Sequence, residues 1–196
     1  MNEIRKVTLT ELLDSREKRV SHQKELLFEY GGVLVSVTLN IPGPVKDKRA
    51  YRKALRYGME VLAEKLSDGE RGFDDEKNSK EQPAAFGRPA AMILHREVRD
   101  LVTGPEGYLI VQETEELTAE AVKQLTVEIE DSSALGRLFD MDVITEAGGI
   151  SRADLGSGRR KCLLCSEDAK ICARGMRHKT EDLLVEIDRI LEEAGF

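Results

Sequence analysis

Seven residues, Leu138-Phe139-Asp140-Met141-Asp142-Val143-Ile144, restrict the fold more than any other stretch of the chain. Apolar and acidic side chains alternate through them, and alternation with a period of two belongs to a β-strand. On a strand Phe139, Met141 and Val143 share one face and pack on a core. Leu138, Asp140, Asp142 and Ile144 share the other. The chain must therefore build a sheet that buries one face and presents two neighbouring carboxylates on the other. Adjacent carboxylates repel unless a cation or a proton lies between them. Mg²⁺ held by one or two carboxylates together with substrate phosphates is one way to relieve that repulsion. A solvated strand face with two ordinary surface acids fits the same pattern.

The surrounding segment has its own chemistry. Residues 135–179 carry nine Lys or Arg against six Asp or Glu, in a chain whose net charge is −7. A local basic field on an acidic protein is a candidate site for an anionic ligand. Arg137, Arg159 and Arg160 are its candidate phosphate contacts, because guanidinium groups match phosphate oxygens in a bidentate way, and Lys161 would add charge. The same segment holds all three cysteines. Cys162 and Cys165 form a C-x2-C pair of the kind that grips Zn²⁺, and Cys172 with His178 would complete four ligands. The cysteines are equally readable as small buried residues, with His178 contacting phosphate or a partner. A Cys nucleophile is a third reading. If 168–178 were one helix, Cys172 and His178 would point in different directions.

Elsewhere the elements follow from periodicity. Apolar positions from Leu12 to Tyr30 predict an amphipathic helix, capped by Thr8 or Thr10 and stopped at Gly31-Gly32. Arg16, Arg19 and Gln23 form a polar ridge on it, and His22 is expected to be exposed. The β-branched run 33–40 predicts a central strand. It feeds Ile41-Pro42-Gly43-Pro44-Val45-Lys46, a stiff turn at a strand end, where ligands often bind. Asn40 could contact a polar ligand there and Lys46 a phosphate. A helical stripe spans 50–66, and the charged stretch 67–87 predicts a mobile surface loop, with 67–82 largely an insertion. A helix is predicted over 92–102, with His95 inside it. A strand follows at 108–112, then a helix from Thr118 to Glu130 and a final helix capped by Thr180. Strands and helices alternate without a βαβ repeat. The prediction is a single α+β domain, a mixed or antiparallel sheet covered by helices.

Length and composition bound the function. A chain of 196 residues can bury one sizeable core. No apolar run approaches a membrane span, and no h-region follows the first residues, so neither membrane insertion nor a secretory signal is expected. Net acidity argues against general nucleic-acid binding. Cysteines crowded together without a disulfide framework fit a cytoplasmic protein.

Two blocks carry a resemblance. Gly136-Arg137-Leu138-Phe139-Asp140-Met141-Asp142-Val143, followed by Arg160-Lys161-Cys162-Leu163-Leu164-Cys165, Ala169, Cys172-Ala173-Arg174 and His178, resembles the signature of the holo-citrate lyase synthases (apo-citrate lyase phosphoribosyl-dephospho-CoA transferases). Leu39-Asn40-Ile41-Pro42-Gly43-Pro44-Val45-Lys46 resembles that family's other block. One departure is Ser133-Ala134, where the family has His-Pro. The resemblance implies that a serine of the citrate lyase acyl carrier subunit attacks the α-phosphate of 2′-(5″-triphosphoribosyl)-3′-dephospho-CoA, and pyrophosphate leaves. It further implies that Asp140 and Asp142 hold Mg²⁺ or act as base. Arg137, Arg159, Arg160, Lys161, Asn40 and Lys46 would then bind the cofactor. A direct transfer to serine gives a catalytic cysteine no obvious role. The competing readings are a Cys/His metal-binding adaptor that docks an acidic partner, and a related nucleotidyltransferase with another acceptor.

Overall fold

A computed structural model describes residues 5–67 and 91–196. Helix α1 (Leu9–Tyr30) begins with a full capping box: the Thr8 hydroxyl accepts from the Glu11 N–H, and the Glu11 carboxylate accepts from the Thr8 N–H. It ends where Gly31 and Gly32 both adopt positive φ. At Gly32 a Cβ would lie 2.3 Å from the Val111 carbonyl oxygen, so only glycine fits. The chain then enters β1 (Val33–Leu39), crosses through α2 (Arg49–Ser67) and returns as the hairpin β2 (Ile93–Arg99) and β3 (Glu106–Val111). After α3 (Ala119–Asp131) and a 3-10 turn (Gly136–Leu138) come β4 (Phe139–Thr145) and β5 (Gly148–Ile150). A short α4 (Ala169–Arg174) and α5 (Thr180–Glu193) complete the chain.

The strands form one sheet in the order β2-β3-β1-β4-β5, antiparallel at every pairing. This is the α+β architecture expected, with the antiparallel alternative realised. On one face Val33, Val35, Val37, Leu109, Met141 and Val143 pack against α2, α3 and α5. Fully burying such side chains contributes ~1.5–3 kcal/mol each before the entropy of ordering them is set against it. On the other face α1 lays Leu26 and Leu27 over Leu34, Tyr108 and Ile110. Toward its N-terminal half the same face turns polar: Gln23 donates to Ser36 at 3.0 Å, and Arg19 reaches Glu106 at 2.8 Å.

Four expectations need correction. Residues 93–99 are the edge strand β2, where a helix was predicted over 92–102. Met92, His95, Val98 and Val102 mimic helical spacing, but β3 is buried along its whole length and needs a hydrogen-bonding partner on the side away from β1. His22 is not free on the helix surface: its Nε2 lies 2.8 Å from Glu97, and its ring meets Tyr108 edge-on. Leu138 ends the 3-10 turn and is fully buried, so it does not share the acidic face of β4. Lys179, not Thr180, is the N-cap of α5. Of the predicted loop 67–87, Ser67 closes α2, and the rest lies outside the described residues. Among the described residues no helix is long and apolar enough to cross a membrane.

Candidate functional site

Antiparallel pairing of β1 with β4 brings two distant stretches of sequence together. Leu39 lies opposite Phe139, Thr38 opposite Asp140 and Ser36 opposite Asp142. Where the strands part, the Asn40 N–H donates to the Leu138 carbonyl at 2.8 Å. The turn following Asn40 therefore stands beside the two carboxylates. That turn is itself fastened, because the Val7 N–H donates to the Pro44 carbonyl at 2.8 Å. Phe139, Met141 and Val143 are buried, whereas Asp140 and Asp142 lie on the α1 face and remain open to solvent.

The carboxylates feel each other. Crowding by the surrounding protein and the charge of Asp140 push the Asp142 pKa above its ordinary value, with Lys123 and Arg19 partly opposing. Lys123, Arg19 and the Arg160 guanidinium beside Asp140 relieve this repulsion only in part, and the two carboxylates are the candidate ligands for a divalent cation that would share its remaining positions with water and phosphate oxygens.

Next to Asp140 a cleft of about 180 Å³ opens between α1, the 41–46 turn and the β2–β3 turn. Arg16, Arg19, Thr38, Asn40, Lys46 and Asp140 are among its lining residues. Arg19 is held in place by Glu106, which is buried and also accepts from the Tyr108 hydroxyl at 2.5 Å. Lys46 donates to the Ile41 carbonyl, and burial together with the nearby Arg16 lowers its pKa. Three cations, one of them already paired with Glu106, line one small cleft with a carboxylate at its rim, which makes it a candidate anion site. A wider groove of about 500 Å³ runs along α1 past Glu17, Lys18, His22 and Arg99. It is open, of mixed charge, and lacks the paired carboxylates.

The basic strip reaches the carboxylates through Arg160. One guanidinium nitrogen lies 2.7 Å from Glu130, and another lies 3.2 Å from Asp140. Glu130 is buried, accepts from the Met141 N–H at 2.7 Å and also pairs with Arg152 at 2.5 Å. Lys123 donates to the Met141 carbonyl at 2.8 Å. Together Glu130 and Lys123 satisfy the backbone of β4 where β5 no longer covers it. Arg159, its side chain 82% exposed, pairs with Asp168 at 3.2 Å. Lys161 is exposed, and its backbone bridges to Asp168. Arg137 donates to the Cys162 carbonyl. Asn40, Lys46 and Asp140 thus meet at the cleft, and Asp142 lies along the same strand face. Arg160 borders this group, whereas Arg137, Arg159 and Lys161 line the outer segment.

The sulfur and imidazole groups also converge. The ligand atoms of Cys162, Cys165, Cys172 and His178 all lie within 4.8 Å of one another. Helix α4 stops at Arg174, so the directional objection raised by a helix over 168–178 does not arise. Burial and the neighbouring Cys165 and Cys162 push the Cys172 thiol up to about 12, which does not suit a free nucleophile.

A family model described as apo-citrate lyase phosphoribosyl-dephospho-CoA transferase matches residues 7–88 and 75–194. A protein of Citrobacter koseri bearing that same name is 34% identical over 189 residues, covering 96% of this chain and 90% of the relative. One from Escherichia coli is 34% identical over 188 residues, with 95% and 90% covered. A Shigella boydii relative has the same name, identity and coverage. The chain belongs to the apo-citrate lyase phosphoribosyl-dephospho-CoA transferase family. The 39–46 block and the 136–143 part of the other block are the facing ends of β1 and β4 with their adjoining turns, and the rest of the second block lies beyond β5. Ser133 takes a structural role: its hydroxyl accepts from the Gly136 N–H at 3.0 Å. Gly136 itself cannot change, because a Cβ would lie 2.3 Å from the Ile129 carbonyl oxygen.

Sequence reasoning about this transferase missed several supports. Glu106, Tyr108, Lys123, Glu130 and Arg152 carry no motif. Only the helical spacing of Arg16 and Arg19 hinted that both would face one cleft.

Proposed function

We propose that this protein transfers the 2′-(5″-phosphoribosyl)-3′-dephospho-CoA group from 2′-(5″-triphosphoribosyl)-3′-dephospho-CoA to a serine of the citrate lyase acyl carrier subunit, releasing pyrophosphate. The observation that carries the reading is the meeting of the family's two blocks, which sets Asn40 and Lys46 beside Asp140 at a cationic cleft. The serine Oγ attacks the α-phosphorus, a new P–O bond forms, and the bond to the bridging oxygen of the departing pyrophosphate breaks. The serine proton passes to a carboxylate. Asp142 takes that role where the cation leaves its carboxylate free, since its raised pKa in the cation-free pair makes it a stronger base than an ordinary aspartate. Arg16, Arg19 and Lys46 hold phosphate oxygens and balance their charge. Arg160 holds Asp140 in position from the far side. Mg²⁺, where bound, would be held by Asp140 and Asp142 and would neutralise charge on the phosphates.

The test is the intact mass of the apo carrier after incubation with this protein, the activated cofactor and Mg²⁺. The carrier gains the mass of the phosphoribosyl-dephospho-CoA group, one pyrophosphate appears per carrier, and a carrier serine-to-alanine variant stays unmodified. No mass gain, with verified cofactor and apo carrier, overturns the assignment. Pyrophosphate release with a different protein modified would point to another acceptor.

A further inference from the structure

The segment beyond β5 is poorly provided with core. From residue 151 to 179 the only buried residues are Cys162 and Cys172. A stretch of that length with so little apolar burial needs another source of order. Its backbone is nevertheless well defined. The Cys162 N–H donates to the Glu167 carbonyl at 2.8 Å, and the Ala169 N–H donates to the Arg160 carbonyl at 2.9 Å, closing a tight knuckle. After α4 the chain passes through Met176, whose φ of 44° is left-handed and rarely adopted by a side-chain-bearing residue. That turn returns His178 to the cysteines. Strain at an exposed methionine persists only where something holds the chain on both sides.

We infer that Cys162, Cys165, Cys172 and His178 bind one structural Zn²⁺ that orders this segment from within. The Cys165 and Cys172 sulfurs are 3.5 Å apart, and the Cys165 sulfur lies 3.3 Å from His178 Nε2. In a tetrahedral site with ordinary Zn–S and Zn–N bonds these separations are about 3.8 and about 3.6 Å. These two separations are slightly shorter than in such a site, and the remaining ones stay within 4.8 Å, so all four ligand atoms surround one small volume. It is not a disulfide, since all three cysteines are free. Three sulfurs and one imidazole in tetrahedral reach select zinc over harder cations. Four protein ligands leave no open position, so the site is structural. Its consequence for the site is indirect. Arg137 grips the Cys162 carbonyl, and the Arg160 carbonyl closes the same knuckle, so fixing the knuckle fixes the guanidinium that borders Asp140.

The test reads metal without substrate, so it stands apart from the transfer reaction. Full-length protein purified without chelators is analysed for metal by elemental analysis. The expected content is close to one zinc per chain, falling to near zero in Cys165→Ser and unchanged in Ser166→Ala, an exposed neighbour. Because Cys165→Ser could unfold the segment, the wild type is also stripped with a strong chelator and reloaded with Co²⁺. A tetrahedral cobalt–thiolate spectrum is expected in the visible. Stripping should also increase proteolysis within 151–179, reversed by added zinc. Metal-free wild type with three titratable thiols overturns the proposal. So does a Cys165–Cys172 disulfide found by mass, or a cobalt spectrum of octahedral form.

Discussion

At the scale of the residue, Asp142 carries the sharpest consequence. Its pKa is raised in the folded chain, so the native state holds that proton more tightly than the unfolded state does. Stability associated with this proton is present at low pH and lost as pH rises from the ordinary carboxylate value through the raised one. At neutral pH the charged Asp142 therefore works against the fold. Asp142→Asn should melt no lower than wild type at pH 7, and its advantage should disappear in acid, where Asp142 is already protonated. Thermal melting across pH checks this. Turnover should move the other way, falling by about two to four orders of magnitude, as expected for lost electrostatic or acid–base catalysis. Pyrophosphate release at saturating Mg²⁺ measures it, and near wild-type turnover would reduce the two aspartates to a solvated strand face. Arg16→Ala should leave melting unchanged and weaken cofactor binding even without metal, because Arg16 lines the cleft. An Arg16→Ala protein with wild-type affinity would remove Arg16 from the phosphate site.

At the scale of the element, α1 both covers the sheet and supplies cations to the cleft. These roles are separable. Thr8→Ala removes the capping-box hydroxyl and should cost about 1 kcal/mol of stability, measured by denaturant melting, without changing cofactor affinity. Lys46→Ala leaves the helix intact and removes a charged donor from the cleft wall. Charge-assisted hydrogen bonds contribute ~1.5–3 kcal/mol, so cofactor dissociation should rise about tenfold to a hundredfold. Titration calorimetry with the cofactor distinguishes the two variants. Equal affinity in both would remove Lys46 from the binding site. The misread strand at 93–99 belongs to this scale as well. Its residues satisfy either period, and the need of β3 for a second neighbour decided between them.

At the scale of the whole molecule, Glu130 joins parts that lie far apart in sequence. It accepts from the β4 backbone and pairs with both Arg152 and Arg160, while its own backbone lies on α3. Glu130→Ala leaves two partly buried guanidinium groups without their shared carboxylate, a change that typically costs about 3–5 kcal/mol. The expected result is a clear drop in melting temperature together with loss of turnover, because Arg160 no longer sits beside Asp140. Melting within a degree or so of wild type would show that solvent replaces these contacts freely.

Alternation in the sequence determined that 139–144 forms a strand with Asp140 and Asp142 on the face opposite Phe139, Met141 and Val143, because side-chain direction on a strand is a local property. Thr8 and Thr118 as caps and the glycine stop after Tyr30 were legible for the same reason. The C-x2-C pair was visible as spacing alone. Tertiary structure decided what spacing could not. It placed Asn40 and Lys46 beside Asp140 by pairing β1 with β4, and it aimed Arg16 and Arg19 into one cleft. It also buried Glu106 and Glu130 where their charges have partners. Such contacts join residues distant along the chain, and their energies depend on burial and on a partner's position, neither of which exists until the sheet has closed.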